Sequence, residues 1–385
     1  MPLERARRKA GPPARSTSPA RSTRYNRKVK IPSSKSSSAA ELELIDALFK
    51  KAGLARHPRG RTAAIVPRKI FDQKSPHELC RPSAPPRAAG NGVHWLAVAG
   101  WSRFSWLWHG FSTRKGGVSR AYCPEDACGE LNLGFTAEES RERVLRNRRL
   151  LAEAVTGDAT VPFATLRQIH STMVRVIDAA GAPLDPQRLP TARGDGLMTA
   201  EPGILLGIQT ADCIPVLVAD RRRRAVAAFH AGWRGTVQRI VENGIGRMRL
   251  EFGSRPEDLV AAIGPGIGPC CYAVGEEVLS GFESQFVYFR DLFHEVDDSN
   301  PIRTRYPMLF LTQRAPGHSP IGPSLHLDLF EANKRQLLDA GLNPAAIKLV
   351  GGCTSCQPQL FFSHRASRGH AGRMLNVIGI RKGAG

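Results

Sequence analysis

The sequence predicts an α/β protein: an α/β sandwich built on one large mixed sheet, preceded by a disordered N-terminal extension. Two observations carry this prediction. From residue 93 onward, apolar runs of strand length are interspersed with amphipathic helical segments, and no internal repeat is present. Residues 1–39 are instead rich in Arg, Ser and Pro with one acidic residue, so they cannot bury enough apolar surface to order themselves.

The chain of 385 residues is long for one domain and short for three. We therefore expect a basic extension and linker over 1–92 and one globular domain over 93–385. Within the first part, 41–54 has a short helical period, and 55–92 has the Pro, Ala and Gly content of a linker. A transit peptide, a solvated tail and a start codon assigned too far upstream all remain open as explanations of residues 1–39.

The net charge of +21 is concentrated in the extension. Residues 1–90 carry 21 Lys and Arg against 6 Asp and Glu, whereas the rest of the chain is only mildly basic. The charge therefore does not predict a nucleic-acid groove on the globular domain. No apolar run approaches the roughly 20 residues of a membrane helix, and no apolar segment follows the N-terminal charges. We expect a cytoplasmic protein that does not enter a membrane, with organellar targeting by the extension as the alternative.

Hydrophobic periodicity predicts the first elements of the domain in order. The apolar and aromatic runs at 93–101 and 104–111 predict strands. Residues 138–155 place apolar side chains at helical spacing between charges, which predicts an amphipathic helix. Residues 164–178 then predict two strands on either side of a turn at His170 and Ser171.

The remaining elements follow the same pattern. Short apolar runs predict strands at 195–199, 204–210, 215–220, 225–231, 259–264, 346–351 and 374–380. Longer amphipathic segments predict helices at 235–252, 274–286 and 329–342, with Gly341 near the end of the last one, as expected for a C-cap. Residues 287–325 show no regular pattern. An irregular segment of this length predicts a lid, an insertion or a flexible excursion.

Three metal-ligating side chains lie at the ends of predicted strands: His170, Cys213 and His230. Strand ends at one sheet edge can converge although they are distant in sequence, and a catalytic zinc takes three protein ligands of these types. The alternative is that each is an isolated core residue. Asp212 stands beside Cys213, where a carboxylate could act as a general acid or base or simply cap a turn.

The cysteines offer a second possible site. The chain has eight of them, and without a secretory signal they are expected to be thiols or ligands rather than a disulfide framework. Cys353 and Cys356 form a CxxC pair, which with Cys123 and Cys128 could hold a structural zinc. A redox pair and two unrelated thiols in a turn are the alternatives.

Two arginines stand at predicted strand ends rather than in charged runs, Arg114 and Arg234. Either could hold a phosphate through a bidentate contact, or lie on the surface. The block Arg221–Arg224 predicts a solvated hairpin turn. Gly264–Gly268 has the composition of a tight turn and is weak evidence for a phosphate cradle, because no Walker motif accompanies it.

Ten ordered motifs resemble one family. They are FSTRKGGVS, LNLGF, RQIHS, GDGLMT, TADCIPVLVAD, FHAGWRGT, AAIGPGIGPCCYAVGEEV, HLDLFEANKRQLL, CTSC and FFSHRASRGHAGR. In order they resemble the laccase-domain, or multicopper polyphenol oxidase, family, which includes purine nucleoside phosphorylases and peptidoglycan-editing factors. The resemblance spans about 93–381 and implies a cytotoxic-necrotising-factor-like α/β sandwich. An extended approach to LNLG at 123–130 and the long segment 287–325 depart from the pattern.

The resemblance also implies a site. It places one zinc ion, with copper as the alternative, on His170, Cys213 and His230 in each chain. The pocket beside it is expected to use Arg114, Asn132, Gln168 and Asp212, and we add Arg234 as a phosphate contact. The implied substrates are purine nucleosides and phosphate, and a monomer is expected.

The implied activities are phosphorolysis of adenosine, inosine, guanosine or methylthioadenosine, and deamination of adenosine. We expect Asp212 to move the proton in deamination and Arg114, with Arg234, to hold phosphate. Cys213 serves as metal ligand in this mechanism. None of the 11 histidines forms a His-x-His pair, so a four-copper oxidase is disfavoured, although one copper could support weak oxidation.

Two other readings stay open. In the first, the protein is an amidase that edits peptidoglycan precursors, with Cys213 as nucleophile and a histidine as base. In the second, it is a non-catalytic module whose basic tail binds nucleic acid. Metal content would separate the first from a zinc enzyme, and truncation of 1–92 would test the second.

Overall fold

The computed structural model describes residues 80–123, 129–178, 191–296 and 324–383. Its strands form two six-stranded mixed sheets and a two-stranded ribbon. The mixed α/β architecture is therefore as predicted, but the expectation of a single large sheet is wrong. Hydrophobic periodicity shows which segments are buried strands, and it carries no information on which strands pair.

The first sheet combines strands from both ends of the described chain. Its spatial order is β1 (Arg87–Ala88), β2 (His94–Leu96), β3 (Leu107–Ser112), β15 (Met374–Ile380), β8 (Leu205–Thr210) and β5 (Phe163–Thr165). Only the outer pair β5 and β8 is parallel; the other neighbours are antiparallel. The short strand β4 (Lys115–Ser119) follows β3 outside this order.

The second sheet has the order β14 (Ile347–Leu349), β11 (Leu259–Ile263), β9 (Ile214–Asp220), β10 (Val226–Ala231), β7 (Gly196–Thr199) and β6 (Val174–Val176). Its two outer pairs are parallel and its three inner pairs antiparallel. A separate ribbon pairs β12 (Phe293–Val296) with β13 (Ser324–Leu327).

The two sheets pack face to face around a shared core. Phe111 and Ile208 of the first sheet lie in one buried cluster with Leu217 and Ala228 of the second. The opposite face of each sheet is covered by helices, because alternate side chains of the buried inner strands point outward and need their own cover. The result is a sandwich with helix, sheet, sheet and helix layers.

Five α-helices supply the outer layers of the described chain. They are α1 (Arg141–Thr156) on the first sheet, and α2 (Trp233–Val237), α3 (Ile240–Phe252), α4 (Glu276–Gln285) and α5 (Leu329–Asp339) on the second. Ser140 caps α1 by accepting a hydrogen bond from the Arg143 amide. Gly341, with φ of 91°, follows the C-cap of α5 as the sequence predicted.

Two predicted elements differ from the structure. The helix expected at 235–252 is divided into α2 and α3, because Arg239 adopts a left-handed φ of 63° that interrupts it. The segment 287–325 is not irregular at its ends, since they form the ribbon of β12 and β13. Residues 297–323 within it lie outside the described residues.

The folded part also begins earlier than position 93. β1 pairs with β2, and the amide of Ser83 donates to the carbonyl of Val350, so residues assigned to the linker belong to the sheet. The helix expected at 41–54, the remainder of the extension up to residue 79 and Cys128 lie outside the described residues. In the described part of the chain, none of the helices combines the length and the apolar character needed to cross a bilayer.

Candidate metal centre and the cavity around it

Three side chains that are distant in sequence meet where the chain crosses between the sheets. His170 follows β5 of the first sheet and precedes β6 of the second, and Cys213 lies between β8 and β9 in the same way. His230 is at the end of β10, which pairs with β9 so that His230 faces Pro215. Their ligand atoms all lie within 4.8 Å of one another. The fold thus creates one three-donor site from two crossovers and a neighbouring strand.

A carboxylate that sequence reasoning missed holds this site together. Asp195, fully buried before β7, accepts a hydrogen bond of 2.9 Å from Nδ1 of His230. It also accepts bonds from the backbone amides of Ile169, His170 and Ser171 and from the Ser171 hydroxyl. Asp195 therefore fixes the turn that carries one ligand and orients the ring of another, leaving Nε2 of His230 for a metal. The GDG sequence before β7 was the available signal.

The charges of the site depend on one another. Burial would raise the pKa of Asp195, but hydrogen bonds from His230 and Ser171 lower it to about 2. Burial would also raise the pKa of the Cys213 thiol, but the charge of His230 and a hydrogen bond with His170 lower it to about 6. Burial would lower the pKa of His230, whereas Cys213 and Asp195 raise it to about 9. Without a metal, the site therefore favours a thiolate beside an imidazolium.

A glycine makes the close approach of the ligands possible. A Cβ atom at Gly232 would lie 2.9 Å from Sγ of Cys213 and 2.9 Å from Cδ2 of His170. Real Cβ contacts are longer than this, so a side chain at position 232 would push the two ligands away. The Gly of the FHAGW motif is therefore part of the site.

Asp212 lies beside the three donors in a strained conformation. Its φ is 94°, which is unusual for a residue other than glycine. Oδ1 accepts a hydrogen bond of 2.6 Å from the Thr354 hydroxyl, and Oδ2 accepts one of 2.7 Å from the Arg365 amide. The carboxylate is 8% exposed, so it is held in one orientation at the wall of a cavity.

The donors open into a cavity of about 1010 Å³. Its lining combines the site with three aromatic rings and four arginines: Phe135, Trp233, Tyr272, Arg167, Arg234, Arg365 and Arg373. Besides Asp212, two more of the expected pocket residues line the cavity. Arg234 is exposed and lies over the ring of Trp233, and the side-chain amide of Gln168 exchanges two hydrogen bonds with the backbone of Gln209.

Two other expected residues, Arg114 and Asn132, do not line the cavity. The guanidinium of Arg114 forms an ion pair of 2.6 Å with Glu130 and donates to the Tyr122 carbonyl, so its two terminal nitrogens are engaged inside the protein. The Asn132 side chain is fully buried, and its Oδ1 accepts hydrogen bonds from the amides of Gly134 and Arg373. The structure therefore does not place either side chain where it would contact a ligand in this cavity. Asn132 supports the cavity through its hydrogen bond with the backbone of Arg373, which lines it.

The CxxC pair also has different neighbours from those expected. Sγ of Cys123 contacts the Ser119 carbonyl at 3.1 Å and is not part of the thiol group around Cys353 and Cys356. That group contains Cys270 and Cys271 instead. The cysteine pair that follows the Gly264–Gly268 turn was in the sequence, but nothing in its spacing linked it to the CxxC pair.

Comparison with known proteins shows the family of this chain. The family model described as multi-copper polyphenol oxidoreductase laccase matches residues 108–381 of this chain. The chain belongs to this family. The match includes every element that supplies the three donors, Asp195 and the lining of the cavity.

Relatives in the laccase family carry other names. A purine nucleoside phosphorylase of Bacteroides thetaiotaomicron is 35% identical over 286 residues, 73% of this chain and 94% of the relative. A protein named adenosine deaminase RL5, from an unknown prokaryotic organism, is 31% identical over 70% of this chain and 92% of its own length. The crystal structure of YlmD from Geobacillus stearothermophilus has a TM-score of 0.60 and 32% identity, over 77% of this chain and 99% of that one.

Proposed function

We propose that this laccase-family protein is a zinc-dependent purine nucleoside enzyme. Its proposed reactions are phosphorolysis of adenosine, inosine, guanosine or methylthioadenosine to the base and a ribose 1-phosphate, and deamination of adenosine to inosine. The observation that carries the proposal is the convergence of His170, Cys213 and His230 in a cavity with aromatic and arginine walls. Relatives named for both activities support it.

The donor set fits a single metal ion. Two imidazoles and one thiolate are the ligand types of a catalytic zinc site with three protein ligands, and Asp195 supplies the outer contact that such histidines need. Copper accepts the same donors, so a single-copper oxidase is the corresponding alternative. When bound by these residues, zinc would supply Lewis acidity and stabilise negative charge that develops in the cavity.

The walls of the cavity suit a nucleoside and phosphate. The rings of Phe135, Trp233 and Tyr272 offer flat apolar surfaces for a purine, which gains from stacking on aromatic side chains. Arg234 and Arg365 are exposed there and offer guanidinium groups for phosphate. We assign phosphate to these two residues rather than to Arg114, whose two terminal nitrogens donate to Glu130 and to backbone carbonyls and which does not line the cavity.

Asp212 is the proposed proton-transfer residue. In deamination, the oxygen of a water molecule bonds to C6 of adenine while the carboxylate takes one of its protons and returns it to the purine ring. The bond between C6 and the amino nitrogen then breaks, and ammonia leaves with the second proton of the water. In phosphorolysis, a phosphate oxygen attacks C1′ of the ribose and the bond to the purine nitrogen breaks, so the enzyme must orient phosphate against the sugar. The two hydrogen bonds to Asp212 hold its carboxylate ready for this role.

The test is to incubate the full chain with adenosine, with and without phosphate, and to separate the products by chromatography. Inosine reports deamination and ribose 1-phosphate reports phosphorolysis. Cys213→Ala should lose one metal ion and most turnover, whereas Cys123→Ala should lose neither. Retained zinc with near-normal turnover in Cys213→Ala would refute the assignment of the metal site.

Phosphate binding has its own test. Arg365→Met should raise the KM for phosphate by about tenfold to a hundredfold, which corresponds to loss of one charge-assisted hydrogen bond of roughly 1.5–3 kcal/mol. The backbone amide of residue 365 still holds Asp212 in this variant. Arg222→Met, on the exposed hairpin turn after β9, is the matched control and should leave the KM unchanged.

One observation favours a second candidate function. Sγ of Cys213 lies 3.8 Å from Nε2 of His170, and the lowered pKa of this thiol favours the thiolate, which is the arrangement of a cysteine nucleophile beside a base. The protein would then be an amidase of the peptidoglycan-editing type. Such an enzyme needs no stoichiometric zinc and loses its activity on alkylation by iodoacetamide in the presence of zinc, whereas a zinc-bound thiolate is protected.

A further inference from the structure

A second group of metal-ligating side chains lies outside the proposed active site. Four thiols, those of Cys270, Cys271, Cys353 and Cys356, have sulfur atoms within 4.8 Å of one another. They come from two loops, the first between β11 and α4 and the second after β14. Cys80, at the start of the described chain, adds a fifth sulfur at 3.0 Å from Cys270 and 3.4 Å from Cys356.

The sulfur separations match a single tetrahedral ion. With zinc–sulfur bonds of about 2.3 Å, two thiolates on one zinc lie about 3.8 Å apart. Sγ of Cys356 lies 3.5 Å from that of Cys270 and 3.4 Å from that of Cys271, close to this value. A disulfide needs about 2.05 Å, well below any of these distances. An iron–sulfur cluster needs wider separations between its cysteine sulfur atoms than these four cysteines have, because its thiolates bind different iron atoms.

The backbone around these four cysteines also favours thiolates. The amide of Gly268 donates to Sγ of Cys353 at 3.3 Å, and an N–H donor stabilises a negatively charged sulfur. A Cβ atom at Gly268 would lie 3.3 Å from both Sγ of Cys270 and Cβ of Cys353, so the glycine permits this close approach. Cys353 is itself fully buried, where a charged sulfur needs such partners.

We propose that Cys270, Cys271, Cys353 and Cys356 bind one structural zinc ion, separate from the ion at His170, Cys213 and His230. All four positions are filled by protein thiolates, so no position is open for substrate, as in other structural zinc sites. Cys80, whose sulfur contacts those of Cys270 and Cys356, lies at the edge of this site. Its position allows it to replace a missing ligand, so loss of a single cysteine is not expected to release the metal.

The second ion would stiffen one wall of the active-site cavity. Thr354, between the two cysteines of the CxxC pair, donates the hydrogen bond that holds Asp212. Ile267 and Tyr272, which flank the paired cysteines on the first loop, line the cavity. The amide of Ile267 also donates to the carbonyl of Asp212 at 2.7 Å. The proposed zinc cross-links these two loops, so it helps to hold Asp212 in place without contacting substrate.

Metal stoichiometry tests the proposal without any activity measurement. The full chain, purified under reducing conditions with zinc present and without chelators, should contain two zinc ions per molecule. Cys213→Ala should retain one of them, because the four cysteines of the structural site are unchanged. The double variant Cys353→Ser/Cys356→Ser should also retain one, and Cys123→Ser, outside both sites, should retain two.

Cobalt substitution identifies the ligands of the remaining ion. In Cys213→Ala, one cobalt should give the strong near-ultraviolet absorption of a tetrahedral all-thiolate site. An intact mass reduced by two hydrogens per disulfide, together with no metal in Cys213→Ala, would show that the cysteines form disulfides and would overturn the proposal. A cobalt spectrum without thiolate charge transfer would overturn it as well.

The structural zinc site and the proposed activity can each fail without the other. If Cys353→Ser/Cys356→Ser fails to fold, the zinc content and cobalt spectrum of Cys213→Ala still decide the question. Two zinc ions with no turnover of nucleosides would refute the proposed activity and leave the structural site intact. If instead the protein turns over nucleosides but holds one zinc ion, and Cys213→Ala loses both the turnover and the ion, the proposed activity stands and the structural zinc site is overturned.

Discussion

Replacement of Gly232 by alanine should damage the candidate metal centre without unfolding the protein. The backbone φ at this position is −71°, which alanine adopts readily, so no conformational strain is introduced. The added methyl group would instead lie 2.9 Å from both Sγ of Cys213 and Cδ2 of His170. The perturbation is therefore a steric one, directed at two of the three metal ligands.

Its magnitude follows from the contact distances. Non-bonded carbon atoms sit about 3.5–4.0 Å apart at their optimum, so each contact overlaps by about 0.6 Å or more. Metal–ligand distances tolerate only about 0.2 Å. At least one donor must then move out of reach, and we expect zinc affinity to fall by about a hundredfold, or about 3 kcal/mol. Alanine is also a poorer N-cap for α2 than glycine, which adds at most about 1 kcal/mol of destabilisation.

The assay is competition for zinc between the protein and a chromophoric chelator, combined with thermal unfolding of the metal-free protein. Gly246→Ala is the matched control, because a Cβ atom there meets nothing within 4 Å. It should bind zinc normally and gain up to about 1 kcal/mol from helix propensity. Zinc affinity of Gly232→Ala within about threefold of the unsubstituted protein would refute the reasoning.

Three further predictions follow from the contacts of single residues. Asp195→Asn places an amide donor beside Nδ1 of His230 and should lower zinc affinity about tenfold to a hundredfold in the same competition assay. Unchanged affinity would show that the hydrogen bond from His230 to Asp195 does not support metal binding. Burial lowers the pKa of His109 from 6.5 to about 4, so stability should fall as pH drops through this window, by on the order of 3 kcal/mol. Urea unfolding at pH 7 and 4.5 should show a smaller loss for His109→Phe than for the unsubstituted protein, and equal losses would exclude this histidine as the cause. Arg114→Met leaves Glu130 unpaired and should lower the free energy of unfolding by about 3 kcal/mol with an unchanged KM for phosphate. A raised KM for phosphate at constant stability would show that Arg114 binds phosphate.

Most elements of the domain could be predicted from local patterns. The strands from β7 to β11 and the helix α1 lie within a few residues of their expected bounds, because hydrophobic periodicity reports burial along a short segment. The break between α2 and α3 could not be predicted this way. It depends on the left-handed backbone of Arg239, and nothing in the apolar spacing of 235–252 indicates that conformation.

The three candidate metal donors could also be identified from the sequence, but their own positions and spacing supplied only part of the evidence. His170, Cys213 and His230 stand at strand ends, and the ordered motifs of the family resemblance single them out together. Asp195 was missed although it lies in one of those motifs. A buried acidic residue before a strand has many explanations, and only the folded chain brings its carboxylate to Nδ1 of His230.

The sequence by itself determined the mixed α/β class, the position of most helices and strands, and the three residues that form the candidate metal site. The tertiary structure alone decided that the strands form two sheets, that Arg114 and Asn132 are not among the residues that line the cavity, and that the CxxC pair meets Cys270 and Cys271. The physical reason is the range of the interactions. Periodicity and turn chemistry act over a few residues, whereas strand pairing and side-chain clusters join positions far apart in the chain.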